Sequence, residues 1–162
     1  MEKETLKDII FNEDTFLLLN MSNYTKEELN EHFNDENNNF PLLYAIINGQ
    51  SDYFLFNENI LSKLDLTLTD NQGRTALMWA ALFGLYNGIK VMLENGADWT
   101  VKDNEGKIAL DYAKEYEKIE REYVPTEDEQ FESKEIEEFW GTPTYDIVGI
   151  FEKPELYTKD KK

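Results

Sequence analysis

The chain has 162 residues, of which 41% are hydrophobic and 14% aromatic, and this is enough apolar material for one folded domain. It contains no cysteine, which excludes disulfides, thiolate metal sites and a cysteine nucleophile, and a reducing cytoplasm is the expected compartment. The 34 acidic residues outnumber the 16 basic ones, so the net charge of −18 disfavours binding to nucleic acid or anionic membranes and favours basic proteins. The plainer interpretation is that this charge only keeps the protein soluble.

The N-terminal region is predicted to contain two short helices. Its first residues, MEKETLKDIIFNED, lack the basic and apolar regions of a secretory leader. Residues 14–19 and 25–33 are the predicted helices, and Thr25 and Glu28 have the spacing of a capping box at the start of the second. We expect the pair to form a cap that covers the apolar end of the body that follows.

Two segments of the chain align with each other without a gap. Residues 70–80 are DNQGRTALMWA and residues 103–113 are DNEGKIALDYA, a separation of 103 − 70 = 33 residues. In each copy Asp-x-x-Gly predicts a tight turn, with a glycine at the left-handed position, and a helix follows. A period of this length predicts stacked helical repeats. The aligned apolar positions are expected to share one buried layer: Leu77, Ala80, Leu110 and Ala113.

A second short helix is predicted within the same unit. It spans residues 89–94 and is followed by Asn95 and Gly96, which are typical of a helix C-terminus. The order GRTALxxAAxxG, followed by VxLxxGAD, resembles the ankyrin repeat. It departs from that family in having Ala76 for the usual proline and Met78 for the usual histidine. The resemblance implies an all-α, ankyrin-type α-solenoid of about three repeats with an N-terminal helical cap.

The repeats on either side of this unit are less regular. Residues 40–45, FPLLYA, resemble the same signature, and Gly49 precedes Gly84 by 84 − 49 = 35 residues, so this repeat carries a two-residue insertion. Residues 147–152, IVGIFE, resemble IKVMLE at 89–94 and are expected to be the delayed outer helix of the third repeat. The predicted organisation is a cap at 1–36, repeats at 37–69, 70–102 and 103–153, an acidic insertion in the third repeat at about 117–143, and a tail at 154–162.

The insertion concentrates acidic charge around aromatic residues. Residues 115–138 contain eleven acidic and three basic residues, a net charge of 3 − 11 = −8. Acidic charge around aromatic anchors is typical of a surface for a basic partner, although the aromatic residues would equally serve to dock the insertion on the repeats. The candidate contacts are Glu127, Asp128, Glu129, Phe131, Glu132, Phe139 and Trp140.

The resemblance implies a second candidate surface, since ankyrin proteins usually bind through their turn tips and inner helices. Alternatively, the acidic insertion covers the inner-helix positions. The turn-tip candidates are Asn71, Gln72, Arg74, Asn104, Glu105 and Lys107. The inner-helix candidates are Leu82, Phe83 and Tyr116.

Residues suited to catalysis are few. His32 is the single histidine, which excludes a multi-histidine metal site, and no glycine-rich phosphate loop occurs. The acidic run at 127–129 lacks the spacing of a calcium-binding loop. The longest mostly apolar stretch, residues 76–85, is half of the roughly 20 residues that a membrane span requires. We therefore expect no catalysis, no cofactor, no metal and no direct contact with nucleic acid or membrane.

These patterns together predict a protein-binding module. Ankyrin-like repeats occur among bacterial immunity proteins, so the resemblance implies, in its more specific form, a stoichiometric inhibitor or immunity-type neutraliser of a basic, nucleic-acid-handling or toxin protein. Abundant Asn, Lys, Glu and Ile with only 4 Pro fit a bacterial or phage source. The alternatives are an adaptor or scaffold that does not inhibit its partner, and a divalent-cation-dependent enzyme that uses the insertion.

Overall fold

The computed structural model describes residues 6–11, 23–122 and 146–158. In these ranges the regular structure is helical, apart from one isolated antiparallel bridge between Thr69 and Thr75. The helices are α1 (Leu6–Phe11), α2 (Lys26–Asn30), α3 (Pro41–Ile47), α4 (Asp52–Leu55), α5 (Glu58–Leu61), α6 (Ala76–Leu82), α7 (Tyr86–Glu94), α8 (Ala109–Glu122), α9 (Ile147–Glu152) and a 3₁₀ helix at Pro154–Leu156.

The helices form two layers. The inner layer is the series α1, α3, α6 and α8, in which each helix packs against the next. The outer layer contains α4 and α5, then α7, then α9; α7 packs against α6 and α9 packs against α8. Each inner helix is therefore joined to the next inner helix, and α6 and α8 are also joined to their outer partners, as in a solenoid. The all-α solenoid predicted from the sequence is confirmed.

The turns between repeats follow from the repeated sequence. Gly73 and Gly106 occupy the predicted left-handed position, with φ of 75° and 82°. Thr75 is the N-cap of α6, because its hydroxyl accepts the backbone N–H of Met78. The next copy has Ile108 at this position, and there the Asp111 carboxylate accepts the Ile108 N–H instead.

The core is continuous along the solenoid, and α6 lies within it. Five of the seven residues of α6 are buried, and three of these are alanines, which allow neighbouring helices to approach closely. Leu77, Ala80 and Ala113 lie in the core as predicted. Leu110 packs against this core but stays half-buried, since it lies near the end of the inner layer.

The N-terminal cap differs from the prediction. Helix α1 was not predicted, yet it buries Leu6, Ile9 and Ile10, whose spacing gives one apolar face. The predicted helix at 14–19 lies outside the described residues. The helix predicted at 25–33 is shorter in the structure than in the prediction. Helix α2 is capped by Thr25 and Glu28 as expected, but it ends at Asn30.

The third repeat has the predicted delayed helix. Helix α9 has the bounds expected from the sequence and packs against α8 across the intervening segment of the chain. Helix α8 continues through Glu122, so the first residues assigned to the insertion extend the inner helix. The rest of the predicted insertion lies outside the described residues, and the division of the chain into cap, repeats and tail remains our proposal.

Candidate protein-binding surface

One aromatic position recurs along the inner helices, where a ring is approached by a cation. The cation lies 5.3, 4.2 and 5.6 Å from the ring centroid in the three successive repeats. Contacts of this kind stabilise both groups and fix the orientation of the ring. The pairs are Lys7 with Tyr44, Arg74 with Trp79, and Lys107 with Tyr112.

The buried carboxylate of Asp70 organises the turn before α6. It accepts the backbone N–H groups of Gln72 and Arg74, each at 2.9 Å. It also accepts the Arg74 Nε–H at 2.8 Å and the Trp79 indole N–H at 3.1 Å. Asp70 therefore closes the turn and holds in place Arg74 of the turn and Trp79 of the adjacent helix.

Asp103 repeats this arrangement before α8. It accepts the N–H groups of Glu105 and Lys107 at 2.8 and 2.9 Å and the Tyr112 hydroxyl at 2.5 Å. Burial alone would raise the pKa of Asp103, but these donors and the nearby Lys107 charge together lower it below its ordinary value. Burial and the Asp103 carboxylate raise the pKa of Tyr112 far above its ordinary value, so its hydroxyl stays a donor.

The turn tips are connected in a ladder. Asn71 donates its backbone N–H to the Asn37 carbonyl and its side-chain amide to the Glu36 carbonyl, at 3.0 and 2.6 Å. Asn104 donates in the same way to the carbonyls of Gln72 and Asn71, at 2.9 and 3.0 Å. The predicted contact residues Asn71 and Asn104 are exposed and also align successive turns.

The second repeat presents three stacked side chains, which we call the inner stack: Arg74, Trp79 and Phe83. The Trp79 and Phe83 rings are 5.7 Å apart and nearly parallel, with an interplanar angle of 21°. Arg74 also donates to the Gln72 side-chain carbonyl, so the predicted residues Gln72, Arg74 and Phe83 lie in one connected group. Phe83 is 44% exposed at the end of this group.

Two apolar residues at equivalent positions of the second and first repeats, Leu82 and Ile47, differ in exposure. Leu82 is half-buried and packs against the core, so only part of its side chain faces solvent. Ile47 stands 35 residues before Leu82 and is 38% exposed on α3. Neither Ile47 nor Trp79 was predicted as a contact residue, although the 35-residue offset between Gly49 and Gly84 placed Ile47 opposite Leu82.

Tyr116 packs against the junction between the second and third repeats. A Cβ atom on Gly84 would collide with the Tyr116 ring, so the glycine is needed for this contact as well as for its φ of 69°. Burial, followed by the charge and hydrogen bond of Glu120, raises the pKa of Tyr116. The ring of the predicted contact residue Tyr116 thus packs partly within the solenoid, against Gly84.

The charges at the third turn are compensated locally. Lys107 lies 3.2 Å from the Glu105 carboxylate and 3.1 Å from that of Glu115. Hydrogen bonds to Glu115 and Glu105 raise the pKa of Lys107. The predicted residues Glu105 and Lys107 therefore form a largely neutral cluster on this part of the surface.

The acidic half of the predicted site cannot be placed beside this surface. Its seven residues lie outside the described residues, and their contact with a partner stays a prediction: Glu127, Asp128, Glu129, Phe131, Glu132, Phe139 and Trp140.

The histidine, the potential metal ligands and the helices of the described part of the chain bear on other functions. His32 has a structural contact, since its Nε2 lies 3.1 Å from the Thr69 carbonyl and its ring meets the edge of Phe40. No group of three or more potential metal ligands occurs among the described residues. None of the helices in the described ranges has both the length and the apolarity for crossing a bilayer.

Comparison with known proteins places this surface in a family context. The family model described as ankyrin repeats, in three copies, matches residues 9–103, which is more than half of the chain. No curated protein matches the sequence. A chain in the structure of the predatory endopeptidase Bd0816 from Bdellovibrio bacteriovorus in complex with immunity protein Bd3460 has a similar fold, with a TM-score of 0.54 and 23% identity. That match covers 72% of this chain and 58% of the other. Ankyrin repeats typically act as non-catalytic modules that bind proteins, and the chain belongs to the ankyrin-repeat family.

Proposed function

We propose that the protein binds another protein through the face that carries the inner stack, and that it thereby neutralises the partner stoichiometrically. The observation that carries the proposal is the inner stack itself. Tryptophan and arginine are the residues most enriched among those that dominate binding energy at protein interfaces. Here they are presented together, with Phe83 as an exposed apolar edge.

The inner stack is organised before a partner arrives. Asp70 holds both Arg74 and Trp79 by hydrogen bonds, and its own carboxylate is buried. Immobilising a side chain on binding costs about 0.5–1.5 kcal/mol, and this cost is small for groups that are already fixed. A rigid aromatic face therefore supports tight binding without new ordering of the chain.

The partner is proposed to have a basic surface. On the described face the cations Arg74 and Lys107 are compensated by neighbouring carboxylates, so this face contributes little net attraction. The strong negative charge lies instead at residues 115–138, with a net charge of −8 of the total −18. We propose that this segment steers a basic partner and that the inner stack supplies the apolar contact.

The inhibitory role is proposed from the kind of surface and from one analogy. A preformed surface that covers the functional surface of a partner inhibits that partner with a stoichiometry of one to one. The similar fold described above comes from a complex of an endopeptidase with an immunity protein, which favours this role over that of an adaptor.

The first test compares two exposed side chains. Phe83→Asp is expected to abolish capture of the partner, because a charge would be buried beside Trp79. Leu156→Asp is the matched control, since Leu156 is 70% exposed on the C-terminal 3₁₀ helix. The captured partner's own activity is then titrated with the protein, and inhibition should be complete at one equivalent. Undiminished activity at saturation would make the protein an adaptor.

The second test addresses the charge. Reversal of Glu127, Asp128 and Glu129 to lysine is expected to lower the association rate at low salt, and added salt should reproduce the effect on the unmodified protein. Trp140→Ala is expected to increase the dissociation rate instead. An affinity that is independent of salt would contradict the proposed basic partner while leaving the inner-stack site standing.

A further inference from the structure

The outer layer is broken at one point that the repeat pattern did not predict. In the first repeat the outer helix is divided into α4 and α5, whereas α7 in the second repeat is continuous. Asn57 causes the division, because its side chain accepts the N–H of Asn59 and starts a new helix there. Phe56, at the break, is 55% exposed although the phenylalanine two residues earlier is fully buried.

The break opens a groove between the outer helices of the first two repeats. Helix α4 packs against α7, where the absence of a side chain on Gly88 lets Leu55 approach closely. Beyond the break, a cavity of about 410 Å³ lies between α5 and α7, and Phe56, Leu61 and Val91 line it. A second cavity of about 250 Å³ also has Phe56 in its wall. We call these two cavities the outer groove.

The outer groove is acidic as well as apolar. Exposed carboxylates stand at its edges, with Glu58 and Glu94 at the larger cavity and Asp52 at the smaller one. No lysine or arginine lines either cavity. Within the described part of the chain, these three carboxylates form no ion pair, in contrast to the compensated charges around Lys107.

We infer that the outer groove docks a segment of a partner protein in which an apolar side chain lies between lysine or arginine residues. The apolar side chain would pack against Phe56, Leu61 and Val91, and the flanking cations would meet Glu58 and Glu94. The larger cavity has room for such a side chain. The net charge of −18 disfavours a second copy of this chain, a nucleic acid or an anionic membrane as the occupant.

This surface lies on the outer helices and is separate from the inner stack, so the two proposals stand or fall independently. A protein that uses both surfaces would contact its partner, or two partners, through opposite layers of the solenoid. Binding at two linked sites raises the overall affinity without any new contact at either one.

The test uses three synthetic peptides of equal length and defined composition: leucines between lysines, leucines between glutamates, and serines between lysines. Affinity is measured by isothermal titration, and the site is located by amide chemical-shift changes. We expect the lysine–leucine peptide to bind about tenfold more tightly than either of the others, with shifts centred on Phe56, Glu58 and Val91. Equal affinity for all three peptides, or shifts centred on the inner stack, would overturn the inference.

Three variants make the result specific. Phe56→Ser is expected to weaken the lysine–leucine peptide about tenfold, while Phe83→Ser, on the inner stack, leaves its affinity unchanged. The double charge reversal Glu58→Lys with Glu94→Lys is expected to invert the preference in favour of the glutamate–leucine peptide. A preference that survives the reversal would show that total charge, and not this groove, attracts the peptide. Circular dichroism establishes that each variant is folded.

Discussion

The second and third repeats start from aligned segments of eleven residues, six of them identical, but differ in how they end. In the second repeat α6 ends after Leu82, because Gly84 takes a left-handed conformation. The Gly84 N–H donates to the Ala81 carbonyl and the Leu85 N–H donates to the Ala80 carbonyl, which closes the helix terminus. In the third repeat Glu117 stands at the equivalent position. Without a glycine to end it, α8 continues through Glu122.

This difference at one position accounts for much of the structural difference between the second and third repeats. The longer α8 carries Tyr116 over Gly84, and its outer partner α9 comes much later in the chain. The turns, by contrast, are built alike in both repeats. A buried aspartate accepts two backbone N–H groups and one aromatic donor, which is Trp79 in one repeat and Tyr112 in the other. The turn thus keeps its structure when the aromatic donor is Tyr112 in place of Trp79. The inner helix, by contrast, becomes longer when glutamate stands in place of glycine.

The largest expected difference between the repeats lies in the core. Leu77→Ala should lower the free energy of unfolding by about 2–5 kcal/mol, because it leaves a cavity in the centre of α6. Leu110→Ala, at the equivalent position, should cost clearly less, because Leu110 is half-buried. Urea unfolding of both variants measures the difference. Equal costs would mean that the third repeat is as well packed as the second.

The glycines of the two turns give the next contrast. Both have positive φ, so Gly106→Ala should cost about 1–2 kcal/mol through backbone strain alone. Gly73→Ala should cost about 1 kcal/mol more, since its Cβ would lie 2.8 Å from the Asn104 side-chain oxygen and disturb the turn ladder. Thermal unfolding of the two variants tests this order. A larger cost for Gly106→Ala would count against the ladder as a source of stability.

Removal of one donor tests the aspartate at the third turn. Tyr112→Phe leaves the ring in place and removes one hydrogen bond to a buried carboxylate, which should cost about 1.5–2 kcal/mol at neutral pH. Lys107→Met serves as a comparison, because it removes a cation that is exposed and should cost less. Equal stability of Tyr112→Phe and the unmodified protein would show that the remaining donors satisfy Asp103.

The smallest expected effect is the pH dependence of that cost. The folded-state pKa of Asp103 is lowered, so the stability from its ionised form is present above its ordinary pKa and is lost as the pH falls through the folded value. The cost of Tyr112→Phe should therefore fall to about 1 kcal/mol in acid, when the carboxyl group is neutral. Urea unfolding at neutral and acid pH measures this change. A cost that stays constant would place the stabilisation outside Asp103.

Much of the fold was predictable because the repeat pattern is local. The turn aspartates and glycines, the capping threonines and the bounds of α9 all follow from short sequence signals. Helix α1 was missed because a single turn and a half of apolar residues gives a weak periodic signal, and its stability comes from packing against α3. The break at Asn57 was missed because the apolar residues between Phe54 and Leu64 have a spacing that also fits one continuous helix.

The contacts within the candidate surface were only partly predictable from the sequence. The family resemblance placed Arg74 and Phe83 on the binding side, and the structure puts Trp79 between them. That arrangement depends on a hydrogen bond from Trp79 to Asp70, nine residues away, which no local propensity predicts. For the same reason Tyr116, an apparent surface residue in the sequence, is found packed against Gly84.

The sequence by itself determined the repeat unit, its turns and the sign of the charge, because these depend on residues close together in the chain and on composition. Only the tertiary structure decided which aromatic rings are supported by hydrogen bonds and which stand beside carboxylates that form no ion pair with the described residues. Trp79 is held by Asp70 and Arg74 on the inner helices, while Phe56 stands over an acidic groove on the outer ones. The physical reason is that the Asp70–Trp79 hydrogen bond joins residues nine apart in the turn and the helix, and the groove is formed by the outer helices of two repeats. Neither arrangement is specified by the local sequence signals of the repeat.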